Sequence, residues 1–518
     1  MTMKARDLPT YYNMCDILEH NLKHRADKTA LLSEHASLTF QEVSNQVNQV
    51  GNALIRVGVR FGECVAILCP DRPEWITTFF ATAKIGGIAL GINTLLKSEE
   101  YDHILRDARV RVLVVHDSML ALVEPILGLN NTLTKVIVVG VNEDANYKNF
   151  SDWIAPETTN LDAEKTHRDD FCSLHYSSGT TGLPKGVFHS HKDYPLIAQL
   201  SGVDLFGISE NDRTFSVAKL FFVYGIGGNL IFPWYVGASC VLYAGAPRQA
   251  AAVLKTIDKF KPTIFVCVPT VYGAILSLPN FDERYDVSSL RLCMSAGEPL
   301  PERLWYAWKN ATGIEILDTI GCTETYHTFM ANRPEELRPG SSGKPIGGYD
   351  VRLIDDNGED VPQGVVGNLM VRGETTALFY LHQSEKTRQT FQGEWLLTGD
   401  QYLKDESGYY WHKGRADDML KVGGLWVSPM EIEEVLSGHE FVADCAVVGH
   451  YDDAGLIKPK AFVSLRNGIT PCDHVLGQLL KLCAKKLDAH SRPRWLEFID
   501  DLPRTATGKL QRFKLREH

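Results

Sequence analysis

The sequence predicts an α/β fold with a large N-terminal multi-sheet portion and a small α+β unit at the C-terminal end. Three observations carry this. Short apolar strand-like runs alternate with amphipathic helical patterns, the mark of α/β layers with mostly parallel sheets. The chain has 518 residues, enough for about two to four domains of ordinary size. The last hundred or so residues carry their own helix and strand patterns and read as a separate module.

Taken in order, Val65-Ala66-Ile67-Leu68 reads as a buried strand and Trp75 to Ile85 as a helix. Val112 to Val115, Lys135 to Val139 and Thr263 to Val268 repeat the strand type. Thr158 to Asp170 is polar and charge-rich, a surface connection into a strand over Phe171 to Tyr176. Leu220 to Pro247 lacks charge and is long enough for a membrane span, but Gly225, Gly227, Gly228, Asn229, Pro233 and Gly237 interrupt it. Two buried elements around a turn are expected there, and no membrane span. In the C-terminal module Met430 to Leu436 and His474 to Leu487 read as helices, and Asp444 to Val448 and Lys460 to Leu465 as strands.

Composition excludes some classes. Hydrophobic residues make up 44% and charged residues 23%, so several cores can form without metal or disulfide staples. The net charge of −11 argues against nucleic acid as a partner, since phosphate neutralisation needs a basic surface. The eleven cysteines show no metal-ligand spacing and read as reduced thiols. Met1 to Tyr11 lacks an apolar stretch after its basic residues, so no secretory signal is expected. A cytoplasmic protein is the expectation.

The strongest local signal is Tyr176-Ser177-Ser178-Gly179-Thr180-Thr181-Gly182-Leu183-Pro184-Lys185-Gly186. Glycines let backbone amides turn toward a phosphate, hydroxyls add donors, and a lysine adds charge. The run is not a Walker A loop, which needs Gly, four residues, then Gly-Lys-Ser/Thr. Alone, it could also be a plain Gly/Ser/Thr hairpin loop.

This run resembles the phosphate loop of the acyl-adenylate-forming superfamily, within which the aryl-CoA ligase branch is most similar. Further motifs follow in the family's order over essentially the whole chain. Ser295-Ala296-Gly297-Glu298-Pro299 resembles the adenine-side turn. Asp318-Thr319-Ile320-Gly321-Cys322-Thr323-Glu324 resembles the segment that lines the nucleotide. Thr398-Gly399-Asp400 and Lys413-Gly414-Arg415 resemble the ribose site, and Pro503-Arg504-Thr505-Ala506-Thr507-Gly508-Lys509 the catalytic lysine loop.

The resemblance implies the adenylate-forming enzyme fold, with residues 1–416 as a large domain binding AMP and the acid and 417–518 as a small mobile one. It implies that ATP, Mg²⁺ and coenzyme A take part. Asp318 would read the adenine amino group, Thr323 contact the α-phosphate, and Glu324 help hold Mg²⁺, a hard ion that suits a carboxylate. Asp400 and Arg415 would hold the ribose, and Lys509 would offset repulsion between the acid and the α-phosphate. Asp417 would be the hinge. Gly423 and Gly424 would lie beside the thiol channel; the resemblance leads to Ser-Gly there, and the chain has Gly-Gly.

The acid itself would meet Val223, Tyr224, Gly321, His327 and Thr328. Ala218 to Phe222 and Tyr326-His327 resemble the aryl-CoA ligases, so an aromatic carboxylic acid is expected. Val223 is bulkier, and Thr328 more polar, than a plain benzoate pocket leads one to expect, which suggests a hydroxyl or amino substituent on the ring. An aryl or other acyl group loaded onto a carrier protein, an alicyclic or medium-chain acid, and a non-catalytic nucleotide-binding protein are the alternatives. A homodimer and a lysine acetyltransferase acting on Lys509 complete the expected partners.

Overall fold

The computed structural model describes residues 2–177, 183–423, 425–453, 455–504 and 510–516. Of the positions singled out above, Ser178, Gly179, Thr180, Thr181, Gly182, Gly424 and Lys509 lie outside the described residues. The chain forms two compact units. One is Met1–Gly179, Leu183–Val351 and Val371–Leu396; the other is Thr180–Gly182, Arg352–Met370 and Leu397–His518.

The first unit holds two large sheets. In the seven-stranded one, Cys64–Leu68 pairs in parallel with Ile88–Gly91 and Val112–His116, and Lys135–Val139 and Phe171–Ser177 extend it on either side. Continuous apolar runs suit strands buried on both faces, and Cys64–Leu68 is buried at every position. Helix Pro73–Lys84 follows it with proline in its first turn, where a missing N–H costs nothing. Helix Phe40–Arg56 begins at a reciprocal cap, in which Thr39 Oγ1 accepts from Glu42 N at 3.2 Å and Thr39 N donates to Glu42 Oε2 at 2.8 Å.

The nine-stranded sheet places Arg213–Ser216, Ser239–Val241, Ile264–Cys267, Leu292–Ser295 and Ile316–Gly321 in parallel contact. Thr328–Ala331 then returns antiparallel against Ile316–Gly321. Phe215, Phe265, Tyr272 and Trp308 pack into one core cluster against this sheet. Loops at the carboxyl ends of such parallel strands are where α/β proteins build ligand sites.

The uncharged stretch from Leu220 is helical from Val223 through Val236, with a wider turn over Gly227–Ile231. It stops at Gly237, whose φ of 79° is left-handed, and strand Ser239–Val241 follows. These are the two buried elements around a turn that the interruptions predict. Among the described residues no helix is long and apolar enough to cross a membrane.

In the second unit Ile457–Leu465 pairs antiparallel with Val442–Tyr451 and parallel with Trp495–Phe498. Helices Pro429–Ser437 and Asp473–Lys486 cover this sheet, with Ile432, Leu436, Val447, Val463 and Leu479 in a common core. A separate antiparallel ladder in this unit sets Asp400 opposite Arg415.

Candidate active site

The phosphate-type loop is carried by a hairpin. Phe171–Ser177 and Lys185–Ser190 are antiparallel, and Ser177 lies opposite Lys185, so both stems are fixed by the sheet. The end of helix Ser98–Asp107 grips both stems. The Tyr176 hydroxyl donates to Asp107 Oδ2 at 2.6 Å, and His103 Nε2 lies 3.1 Å from the Pro184 carbonyl. Asp107 Oδ1 also meets His382 Nδ1 at 2.8 Å. Burial first, then Asp107, pushes the Tyr176 hydroxyl pKa well up. Asp107, His103 and His382 belong to no local motif, so nothing in the sequence reading pointed to them.

The Ser295–Pro299 turn leaves the carboxyl end of strand Leu292–Ser295, and Ser295 pairs in register with Asp318 on the next strand. Gly297 takes a φ of 88° there, and Glu298 is half-buried beside the buried Ala296. Thr319 Oγ1 donates to the Ser295 carbonyl at 3.1 Å. Asp318 is buried, and burial pushes its carboxyl up to about 8, only partly offset by Ser295 and the Leu300 and Thr319 amides. Its Oδ1 has no hydrogen-bond partner among the described residues. A buried acceptor without a donor fits an incoming N–H, such as the amino group of adenine.

Ile320 and Gly321 end the strand and open to solvent. Gly321 is required by close approach, since a Cβ there would lie 2.2 Å from the His327 carbonyl oxygen. The short turn Thr323–Thr325 follows. Tyr380 donates its hydroxyl to Glu324 Oε1 at 2.6 Å, and the Lys185 ammonium lies 4.3 Å from the Tyr380 ring centroid. Tyr380, which the sequence reading missed, thus links the loop lysine to the acidic side chain. Among the described residues no cluster of three or more His, Cys, Asp or Glu could hold a metal by itself. A lone carboxylate fits a Mg²⁺ ion that takes most of its ligands from phosphate and water.

His327 is buried against Phe232 and Tyr224, with ring centroids 4.7 and 5.4 Å away. Gly227 makes its room, because a Cβ there would lie 2.4 Å from His327 Cδ2. Burial pushes the imidazole down to about 4, so it is neutral at physiological pH. Its Nε2 lies 3.3 Å from the Tyr224 carbonyl, which only accepts, and its Nδ1 lies 3.0 Å from Thr328 Oγ1. The neutral ring therefore carries its hydrogen on Nε2 and accepts from the Thr328 hydroxyl at Nδ1. Tyr224 spends its own hydroxyl on the Cys267 carbonyl at 3.2 Å, and Val223 beside it is half-buried. The structure brings Tyr224, His327 and Thr328 into one hydrogen-bonded group.

In the second unit Arg415 Nη1 donates to Asp400 Oδ1 at 3.2 Å and to the Thr398 carbonyl at 3.0 Å. Burial raises the Asp400 carboxyl, but the His412 hydrogen bond and Arg415 outweigh it, and its pKa ends below the ordinary value. Arg415 Nε also reaches Asp417 Oδ1 at 3.4 Å. Gly423, with a φ of 59°, turns between the paired strands Leu420–Val422 and Leu425–Val427.

Comparison with known proteins identifies the family. Residues 18–381 match the AMP-binding enzyme family, and residues 431–509 match the AMP-binding enzyme C-terminal domain. The chain is 42% identical to benzoate–CoA ligase of Thauera aromatica, over 99% of this chain and 98% of that one. The crystal structure of the anthranilate CoA ligase AuaEII in complex with anthranoyl-AMP has 58% identity and a TM-score of 0.95, covering 99% of this chain and 98% of that one. A benzoate CoA ligase from Burkholderia xenovorans LB400 has 36% identity and a TM-score of 0.90, covering 98% of this chain and all of that one. With residues 18–381 matched by the family and a relative 42% identical over nearly the full length, the chain belongs to the AMP-binding enzyme family.

Proposed function

We propose that this enzyme is an AMP-forming aryl acid–CoA ligase. A carboxylate oxygen of the acid attacks the α-phosphorus of ATP, and pyrophosphate leaves with the electrons of the broken P–O bond. The thiol of coenzyme A, having given up its proton, then attacks the acyl carbon, and AMP leaves with the oxygen that came from the acid. The observation that carries this reading is the line Lys185–Tyr380–Glu324, together with the buried Asp318 carboxyl, whose Oδ1 has no hydrogen-bond partner among the described residues. A cation, a carboxylate suited to a hard metal ion and an acceptor for a base N–H support the binding of nucleotide phosphates and adenine.

In this scheme Ser177 to Lys185 cradle the phosphates, Thr323 faces the α-phosphate, and Asp318 with Ala296–Glu298 and Thr319–Gly321 receives the adenine. Asp400 and Arg415 hold the ribose. Glu324 would be the protein ligand of Mg²⁺, which when bound offsets phosphate charge. Lys509 neutralises the two anions that react, Asp417 is the hinge between residues 1–416 and 417–518, and Gly423–Gly424 serve the thiol step. Acetylating Lys509 removes its charge and stops adenylation; undiminished pyrophosphate release from fully acetylated enzyme contradicts this. A cytoplasmic homodimer belongs to the same reading, its stoichiometry open to light scattering.

The acid is a benzoate, with an aminobenzoate such as anthranilate placed first. Tyr224 and His327 offer flat, uncharged walls to an aromatic ring. Thr328 gives its only hydrogen to His327, so its oxygen is left to accept, which favours an amino donor on the substrate. Pyrophosphate release should be measured with benzoate, hydroxybenzoates and anthranilate, with and without coenzyme A. The account predicts acid-dependent release and a thioester only when coenzyme A is present. Release that never yields the thioester would support carrier loading, and no release with any acid would support a binding protein.

A further inference from the structure

The turn that carries Thr323 and Glu324 is held by its backbone more tightly than its motif requires. Three successive carbonyls are bonded outside the turn, one to strand Lys185–Ser190 and two to the stretch 375–377: Thr323 O to His189 Nε2 at 2.7 Å, Glu324 O to Ala377 N at 2.7 Å, and Thr325 O to Thr375 Oγ1 at 2.8 Å. Next in the chain, Tyr326 adopts a φ of 69°, left-handed backbone that a bulky residue enters only when its surroundings impose it. Its ring is packed at 5.0 Å from His189 and 4.7 Å from Tyr194.

His189 differs from the other two donors. It is fully buried, and its second nitrogen, Nδ1, lies 2.9 Å from Asp193 Oδ2. Asp193 is itself nearly buried and also accepts from Ser190 N at 3.0 Å. The Thr323 carbonyl can only accept, so Nε2 is the donor in that contact, while Nδ1 faces the Asp193 carboxyl. A carboxyl that orients an imidazole, which in turn orients a reacting group's support, is a recurring way to fix direction in a site.

The same strand, Lys185–Ser190, therefore reaches the turn twice. At its start Lys185 lies over Tyr380, which holds the Glu324 side chain; near its end His189 holds the Thr323 carbonyl. We propose that the His189–Asp193 pair is a positioning device that locks the phosphate-loop strand to the Thr323–Glu324 turn, aiming the Thr323 hydroxyl and Glu324 carboxylate at the nucleotide. His189 touches neither substrate nor reacting atoms. The proposal rests on the ligase reading given above and deepens it.

The test compares full-length His189→Leu, His189→Gln and Asp193→Asn with the wild type. Adenylation is read as acid-dependent pyrophosphate release. Thioester formation from presynthesised acyl-AMP is read separately. Calorimetry gives the gain in affinity for a non-hydrolysable ATP analogue when Mg²⁺ is added. Loss of such an orienting partner typically costs about 10- to 100-fold. His189→Leu is expected to lower the adenylation kcat by that range and to shrink the Mg²⁺ gain, with the KM for the acid and the thioester step within about 3-fold. His189→Gln, whose amide can still donate to Thr323 O, should recover most of the loss. Asp193→Asn should fall in between, and it carries the test should His189→Leu fail to fold. A folded His189→Leu with unchanged adenylation and unchanged Mg²⁺ gain would overturn the proposal, as would a His189→Gln no better than His189→Leu. A wild type that releases no pyrophosphate would instead defeat the ligase reading.

Discussion

The turn from Cys322 to Thr328 and the ladder end at Asp400 and Arg415 both present acidic side chains suited to a nucleotide, but they are held by different means. In the turn, every carbonyl from Thr323 to Thr325 is bonded to another segment, and Thr325 to Met330 are buried. At the ladder end, the Arg415 side chain is 39% exposed and its ion pair with Asp400 is one contact among several. Packing fixes the first region, and charge fixes the second. A packed site has no slack, so a small change there displaces reacting groups; a half-open ion pair is partly screened and loses only its own contribution.

The comparison predicts the largest effect inside the packed region. Gly227→Ala forces a Cβ into the space of His327. We expect destabilisation of about 1–3 kcal/mol and a rise of roughly 100-fold in the KM for the acid, with the KM for ATP little changed. An unaltered acid KM would remove His327 from the pocket wall. At the ladder end, Arg415→Ala should raise the KM for ATP by about 10-fold and leave the KM for the acid alone. Equal effects on both substrates would erase the distinction between the two regions.

Asp318 gives a thermal reading of burial. Its folded pKa of about 8 lies above the ordinary carboxylate value, so the folded state keeps a proton that the unfolded chain releases. Stability is then present below about pH 4 and lost as pH rises to about 8. Asp318→Asn, which cannot ionise, should gain roughly 2–4 °C in Tm relative to the wild type between pH 5 and pH 8.5 without nucleotide. A constant difference across that range would mean that Asp318 titrates as an exposed group does. The smallest effect belongs to Thr328→Ile, which removes the hydroxyl bonded to His327. The ratio of kcat/KM for anthranilate over benzoate should fall roughly 3- to 5-fold; an unchanged ratio would take Thr328 out of substrate choice.

Much of the layout was legible in the sequence because it is local. The run Val65 to Leu68 lies inside the observed Cys64–Leu68 strand, and Lys135 to Val139 matches at both ends, since continuous apolar runs bounded by polar residues leave little choice of element. The Gly/Ser/Thr run and the Asp318–Glu324 segment were visible as motifs for the same reason. Tyr380, Asp107 and His189 were not, because their roles come from contacts across long sequence separations and each looks ordinary alone. Thr328 was noticed for its hydroxyl, but only the structure brings that hydroxyl to 3.0 Å from His327 Nδ1.

The central claim is that substrate and nucleotide become joined through an oxygen of the acid. It can be tested directly by running the complete reaction with an aromatic acid labelled with oxygen-18 in its carboxyl group and weighing the products by mass spectrometry. The account predicts that one labelled oxygen from each acid molecule appears in AMP and none in pyrophosphate. Unlabelled AMP accompanied by thioester formation would contradict it.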